Sequence, residues 1–545
     1  MKGDFARVTF DPARHYSQVM QQQGRVLLEA DWNEQANIQL FLLRTMIADL
    51  VGSCWAAGTG FAIATQARLA DWQLSPGHFY VDGILCQNET VCTLSTQPYA
   101  PAPADDGGNW ANPPDTFALW LDVWERHLSA FEAPGIADTA LDGVDTATRA
   151  QTIWQVRLLD RDSKQLTGIL DAITAVLKVR LQAALSDADK KVINQQLADI
   201  DQLRRHLVAG TAPADNEPCT VLGQILGARA TYAWPRLRAQ LGPTASDNDP
   251  CVIAADARYR GCENQLYRVE VHQGGAAGTD GSPSGTNFKW SRENGSVIFP
   301  VLRADSTAQS DGSAQLAVSL ASLGRDQRLG LAVNDWVELI DDDYTLAQRA
   351  SPLLQVMAID AAQRIVTLTV PKNVTAYTVS GNPAKHPLLR RWDQSQDNDV
   401  QGCVPLIEGE AIALEDGVQI VFQPGGLYAT GDYWLIPARV AGNGSLDWPL
   451  ASDGAPAALP SRGMHHQAVL GTLDVQGAYD ECCCRLDSLC TLMKNSVDRR
   501  LTNTDAALQS AASLPVATAP KAAPAPAKAT AKSQARKVTK TTKPG

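Results

Sequence analysis

The chain has 545 residues, with 47 Lys and Arg against 59 Asp and Glu, for a net charge of -12. That acidity argues against a nucleic-acid-binding body, because neutralising phosphates needs a basic face. At about 150 residues per domain, the length leaves room for three or four domains.

The first ten residues carry Asp4 and Arg7 where an export signal needs an unbroken apolar core. The longest apolar run, IQLFLLRTMIADLVG, is broken by Arg44 and Asp49. It falls short of the ~20 residues a bilayer span requires. Cytoplasmic synthesis without a signal peptide, and no membrane span, are the expectations.

Residues 1–55 read as an N-terminal helical segment. Leu28, Trp32, Ala36, Leu40, Leu43, Ile47 and Leu50 recur at spacings of three and four, one face of a helix, with Gly52 as its C-terminal cap. Gly24 and Arg25 interrupt the pattern before it, so residues 16–27 are expected to be extended or a short separate helix.

Residues 56–163 switch to strand periodicity. HFYV, an Asp82-Gly83 turn signal and a second strand predict a hairpin, and FALWLDVWERHL predicts a strand carrying Trp120 and Trp124 on one side. Core packing is the plain reading of those tryptophans and stacking on sugars the sharper one.

Residues 164–210 lack proline and aromatics. Two apolar stripes separated by SDAD predict a helical hairpin inserted between β segments. Residues 211–480 return to β patterning, with a small barrel expected near 325–372.

Asp341, Asp342 and Asp343 end one of these predicted strands. Adjacent acids could hold a divalent cation, but consecutive side chains diverge in a strand, so a solvated strand end is the plain reading.

The cysteine-rich segment 481–510 places Cys482, Cys483, Cys484 and Cys490 close together, downstream of His465 and His466. Zinc ligands are usually paired at two- to four-residue spacing, so Cys482, Cys484, Cys490 and His465 are weak metal candidates beside a disulfide or packed thiol cluster. No metal or other cofactor is expected. Cys54, Cys86, Cys92, Cys219, Cys251, Cys262 and Cys403 stand singly and are read as small buried apolar residues. Residues 511–545, rich in Ala, Pro and Lys, cannot bury enough apolar surface to offset ordering and are expected to be a disordered basic tail.

Catalytic signatures are missing: the sequence holds no GxSxG, HExxH, Walker loop or strand-to-helix GxGxxG. Asp122 with Glu125, or Glu408 with Glu410, could act on a glycoside only if the fold set the two about 5 Å apart. No enzymatic activity is expected.

Several segments resemble a family when taken together: KGDFARVTFDPARHYSQVMQQQGRVLLEADWNEQ at 2–35, LWLDVWERHL at 119–128, DTATRAQTIWQVRLL at 145–159, ENQLYRVEVH at 263–272, FKWSRENGSV at 288–297 and GDYWLIPARV at 431–440. They are similar to a family of unknown function encoded in the gene clusters of bacterial contractile injection systems, the phage-tail-like particles. The opening motif is also similar to a shorter one at the particle-proximal end of phage tail fibres.

The resemblance implies a structural particle component, a baseplate-attached fibre or spike-like appendage. Docking would run through Tyr16, Gln22, Gly24, Arg25, Trp32, Asn33 and Glu34. The implied partners are baseplate or other particle subunits, further copies of the chain in a trimer, and a cell-surface receptor. A glycan-binding or glycan-processing module, motivated by the 13 tryptophans, and a cargo carried by the particle are the alternatives. The expected fold is mainly β and multidomain, built of antiparallel sandwich and barrel modules, with an N-terminal amphipathic helix, an inserted helical hairpin and the disordered tail.

Overall fold

The computed structural model describes residues 1–64, 72–100, 117–160, 164–184, 186–209, 218–242, 258–278, 285–395, 402–473 and 479–488. The chain divides into two units, Met1–Leu486 and Asp487–Gly545, and the fold described below is that of the first. The fold is mainly β, as the patterning predicts. The basic tail, with Cys490 and Cys251, lies outside the described residues.

After an irregular strap of some 28 residues, helix α1 covers Glu29–Val51. It stops at Gly52, whose φ of +118° suits glycine and whose amide donates to the Ala48 carbonyl at 2.8 Å. Residues 16–27 are irregular, with a turn at Gln22–Arg25 and Gly24 at φ +70°.

Two sheets follow. The first has the order Cys484–Leu486, Cys54–Ala57, Gly77–Val81, Ile84–Asn88, with its first pair parallel. Its hairpin turns on Asp82 and Gly83, both at positive φ as predicted. The second sheet has the order Tyr479–Glu481, His466–Leu473, Phe117–Leu128, Arg149–Asp160. Phe79, Val81, Leu119, Leu121 and Trp154 are buried between the two sheets.

On the other face of the second sheet lie α2 (Lys164–Ala183), α3 (Asp187–Ala209) and α4 (Pro218–Tyr232). Leu170, Ile173, Leu177, Ile200 and Ile225 pack there with Ala118, Leu159 and Val469 of the sheet. The inserted helices therefore pack on their own body. The third helix, α4, is an addition to the predicted hairpin; its CTVLGQILGARATY is apolar with two glycines and shows no clear periodic stripe.

A sandwich buries Tyr267, Phe288, Trp290, Phe422 and Trp434 between a five-stranded sheet centred on Gln265–Gln273 and a four-stranded sheet centred on Val418–Phe422 and Arg236–Leu241. Inserted in it is a closed six-stranded barrel of Ile298–Ala308, Ala314–Leu320, Ile365–Val370, Leu354–Asp360, Trp336–Ile340 and Leu388–Trp392. The barrel is wider in sequence than the predicted 325–372, because strands on both flanks are needed for closure.

The Asp341–Asp343 triplet is not a solvated strand end. Asp341 caps the short helix α5 (Asp342–Ala347) and accepts from Tyr344 N, Ser380 N and Tyr377 OH at 3.0, 2.7 and 2.7 Å. Asp342 pairs with Arg126 and lies 2.8 Å from His386, while Asp343 pairs with Lys385 at 2.8 Å. Each acid meets a different partner, so the three do not converge on one cation.

Candidate docking surface

The helix α1 has its predicted apolar stripe, and that stripe points away from the body. Successive helical residues are about 100° apart. Ala30 and Ile38, the two buried residues of α1, lie on the side opposite Trp32, Leu43 and Leu50. Trp32 is 78% exposed and Leu50 77%. Leu28, Ala36, Leu40 and Leu43 are exposed as well, and Ile47 is half-buried. The preceding strap adds exposed Tyr16, Met20, Val26 and Leu27. None of the residues 15–28 pairs in a sheet among the described residues. A continuous apolar face of this kind is a candidate interaction surface.

The other side of α1 is fixed. Arg44 pairs with Glu125 of the long strand Phe117–Leu128 at 2.7 Å. The Asp82-Gly83 turn abuts the same point: a Cβ on Gly83 would meet the Arg44 carbonyl oxygen at 2.2 Å. Residues 1–19 strap α1 down. Ala6 N donates to Glu29, Thr9 Oγ1 to Glu34 at 2.5 Å and Val19 N to Gln35 at 2.7 Å, and the Phe10 and Phe41 rings sit 5.8 Å apart.

Of the residues expected to dock, Tyr16, Gln22, Gly24, Arg25, Trp32 and Asn33 are exposed. Glu34 differs: its carboxylate is engaged by Thr9 within the chain. Its acidic side chain gave no sign in sequence that the partner was only 25 residues upstream.

Beneath the strap lies a feature that sequence reasoning missed. Lys2 pairs with buried Glu270 at 3.0 Å, Asn294 Nδ2 donates to the Gly3 carbonyl at 2.8 Å, and Arg268 Nη1 to the Met1 carbonyl at 3.2 Å. Arg268 and Lys289 also face Glu270, and Lys289 reaches Glu338 of the barrel at 2.6 Å. Glu338 accepts in turn from Trp392 Nε1 at 2.9 Å and Tyr344 OH at 3.1 Å. The ammonium of Lys289 lies 4.4 Å from the Trp392 ring centroid. Partners of this number are what buried charges require.

Burial alone would push the Glu338 carboxyl up, but Lys289, His272 and Lys2 outweigh it and hold it at about 2. Desolvation lowers Lys2 to about 8 and, with Lys289 nearby, His272 to about 4. The cluster joins strap, sandwich and barrel. Its members outside the barrel residues Glu338, Tyr344 and Trp392 fall in the quoted segments at 2–35, 263–272, 288–297 and 431–440, where Tyr433 stacks against Arg268. The signal available in sequence was Arg268, Glu270 and Lys289 inside otherwise strand-like runs.

Of the weak metal candidates, Cys490 lies outside the described residues, and Cys482, Cys484 and His465 have separate roles. Cys482 is bridged to Cys219 and Cys483 to Cys54, with Cα separations of 5.4 and 5.8 Å. Cys484 is an exposed thiol, and His465 Nδ1 lies 2.9 Å from Asp122. Among the described residues, no group of three His, Cys, Asp or Glu is placed to hold a metal ion. Cys54 and Cys219 are thus corrected from lone buried thiols to half-cystines. Cys86, Cys92 and Cys403 are buried, as expected, and burial pushes the Cys86 thiol up to about 12; Cys262 is exposed.

The two carboxylate pairs have different settings. Asp122 and Glu125 are three apart on one strand and face opposite sides, the first toward His465 and Arg157, the second toward Arg44. Glu408 accepts from the Gly425 and Gly426 amides and Tyr428 OH, whereas Glu410 is exposed.

Fold and surface define a multi-module β protein with an outward-facing N-terminal arm. The chain belongs to a family of unknown function, DUF6519, whose model matches residues 1–545. No curated protein matches it. Among solved structures, a crystal structure of TssK aligns with 76% of this chain and 99% of that chain, at 10% identity and a TM-score of 0.14. At that score the backbones do not superpose. No helix of the described residues is long and apolar enough to cross a membrane.

Proposed function

We propose that the chain is a structural, non-enzymatic component of a phage-tail-like contractile injection particle, attached at the baseplate as a fibre or spike-like appendage. It is made in the cytoplasm and built into the particle, and residues 15–51 are its attachment arm. One observation carries the reading: the apolar stripe of α1 is exposed on the side opposite the one the body holds. A stripe that served only the chain's own core would face inward. The particle itself comes from the resemblance of the quoted segments.

Packing of this charge-free stripe on copies of itself in a trimer belongs to the same proposal, and sedimentation of the purified chain tests it. The docking test is a triple variant, Trp32→Ser, Leu43→Ser and Leu50→Ser, in a strain that makes the particles. Purified particles should lack the variant although the chain remains folded. Retention at the normal level would sink the docking assignment.

A second reading, glycan binding, has one specific support. A cleft of about 550 Å³ is lined by Trp448, Leu446, Leu450, Gln240 and Gln419, an aromatic wall beside two carboxamides. The tryptophan count itself supports it little, since Trp55, Trp72, Trp124, Trp154, Trp290, Trp392 and Trp434 are buried in cores. Binding on a glycan array that disappears in Trp448→Ala would favour this reading; a blank array would remove it.

A further inference from the structure

Residues 479–486 cross from one sheet to the other, and the crossing is stapled on both sides. Cys482 and Cys483 are adjacent, so in extended chain their side chains point to opposite sides. Cys482 is bridged to Cys219 in the first turn of α4, and Cys483 to Cys54 at the start of the strand that follows α1. Apart from these bonds, Tyr479–Glu481 pair with Gly471–Leu473, and Tyr479 OH and Cys482 N donate to the Leu470 carbonyl at 3.1 and 2.9 Å, so it is the far end, residues 484–486, that is lightly held. Cys484–Leu486 pair in parallel with Trp55–Ala57 over three residues, all three exposed. Arg485 adds hydrogen bonds to the Gly58 and Gly60 carbonyls. The strand is also the outermost of its sheet, so lifting it bares the edge of Cys54–Ala57.

We propose that Cys482 and Cys483 form a redox clamp, closed by oxidation, that locks residues 479–486 across the body and fixes the root of α1. In closing, each cysteine pair loses two protons and two electrons to a small-molecule disulfide. The oxidant leaves as two thiols and one protein S–S bond forms. A small dithiol reverses the step. Reduced, residues 484–486 are left with a three-residue ladder at a sheet edge, the kind of element that opens locally while the rest of the fold stays closed. Cys54 lies three residues beyond the end of α1, so opening slackens the base of the arm. That last consequence rests on the docking reading; the clamp does not.

The test uses the full chain. Alkylation followed by mass measurement should show Cys54, Cys219, Cys482 and Cys483 reactive only after reduction. Reaction of all four in the air-oxidised protein without reduction would overturn the clamp. Amide hydrogen exchange, with and without a small dithiol, is then read at residues 54–57 and 484–486. Reduction should speed exchange there by about tenfold or more and leave the barrel strands unchanged. No change at either strand would overturn the proposal, and so would equal acceleration of the barrel, which would make the bridges general staples. The double variant Cys482→Ser, Cys483→Ser should reproduce the reduced pattern; if it fails to fold, the wild-type comparison decides alone. Loss of particle docking with unchanged exchange would implicate the arm and not the clamp.

Discussion

Arg44 and Glu125 pair at 2.7 Å across the joint between α1 and the body. With Ala30 and Ile38 turned toward the protein, this contact leaves the apolar stripe of the helix facing outward. Ile38, 1% exposed, and Leu43, 50% exposed, therefore do different work although both are aliphatic residues of one helix.

Ile38→Ala should destabilise the protein by about 2–4 kcal/mol through loss of buried surface and a residual cavity. Leu43→Ala should change stability by under about 0.5 kcal/mol, since it removes an exposed side chain. Urea unfolding of the two variants checks this. Equal losses would mean that the stripe is buried in solution.

The strap cluster predicts a larger effect from smaller chemistry. Lys289→Met leaves Glu270 and Glu338 short of a cation in a buried setting and should cost about 3–5 kcal/mol. Arg44→Ala removes a half-exposed pair and should cost under about 1 kcal/mol. The urea midpoints of the two variants should differ in that order.

Acid should unfold the protein from a higher pH than carboxylates alone would allow. His272 donates from Nε2 to the Ser351 carbonyl at 2.7 Å and is held neutral down to about 4. The unfolded chain takes up that proton near 6.5, so stability falls as pH drops from 6.5 to about 4. Glu338 acts in the same direction lower down: its contribution is complete above 4.5 and is lost as pH falls toward about 2. Lys2 works in another window. The folded protein gives up its proton at about 8 and the unfolded chain near 10.5, so stability rises across that interval. Melting temperature against pH should show a decline beginning near 6.5; His272→Gln should reduce its upper part and leave the share of His127, which burial holds neutral down to about 3.

Periodicity made the long elements legible. The helix at Glu29–Val51, the Asp82-Gly83 hairpin and the barrel strands follow from local pattern because each buries or exposes a regular set of side chains. Pattern alone left open whether the stripe of α1 faced its own body, because a buried stripe and an outward one have the same spacing. The cysteine cluster suggested a disulfide, but its partners were hidden for another reason: Cys54 and Cys483 are 429 residues apart, and proximity across that distance is a property of the whole fold. The strap cluster was hidden because its charges are spread over four segments, each unremarkable until the sheets bring them together.

The aspartate triplet gives the sharpest contrast between a sequence pattern and its use. Asp341 accepts two amides and a tyrosine hydroxyl, so Asp341→Ala should cost about 1–3 kcal/mol by uncapping α5 and leaving buried donors unsatisfied. Asp343→Ala breaks only a half-exposed pair with Lys385 and should cost under about 1 kcal/mol. If the triplet held a divalent cation, calcium or magnesium would raise the melting temperature of the wild type and both substitutions would abolish that rise. With each acid already occupied by a separate partner, millimolar additions of either ion, or of EDTA, should leave the wild-type melting temperature where it stands.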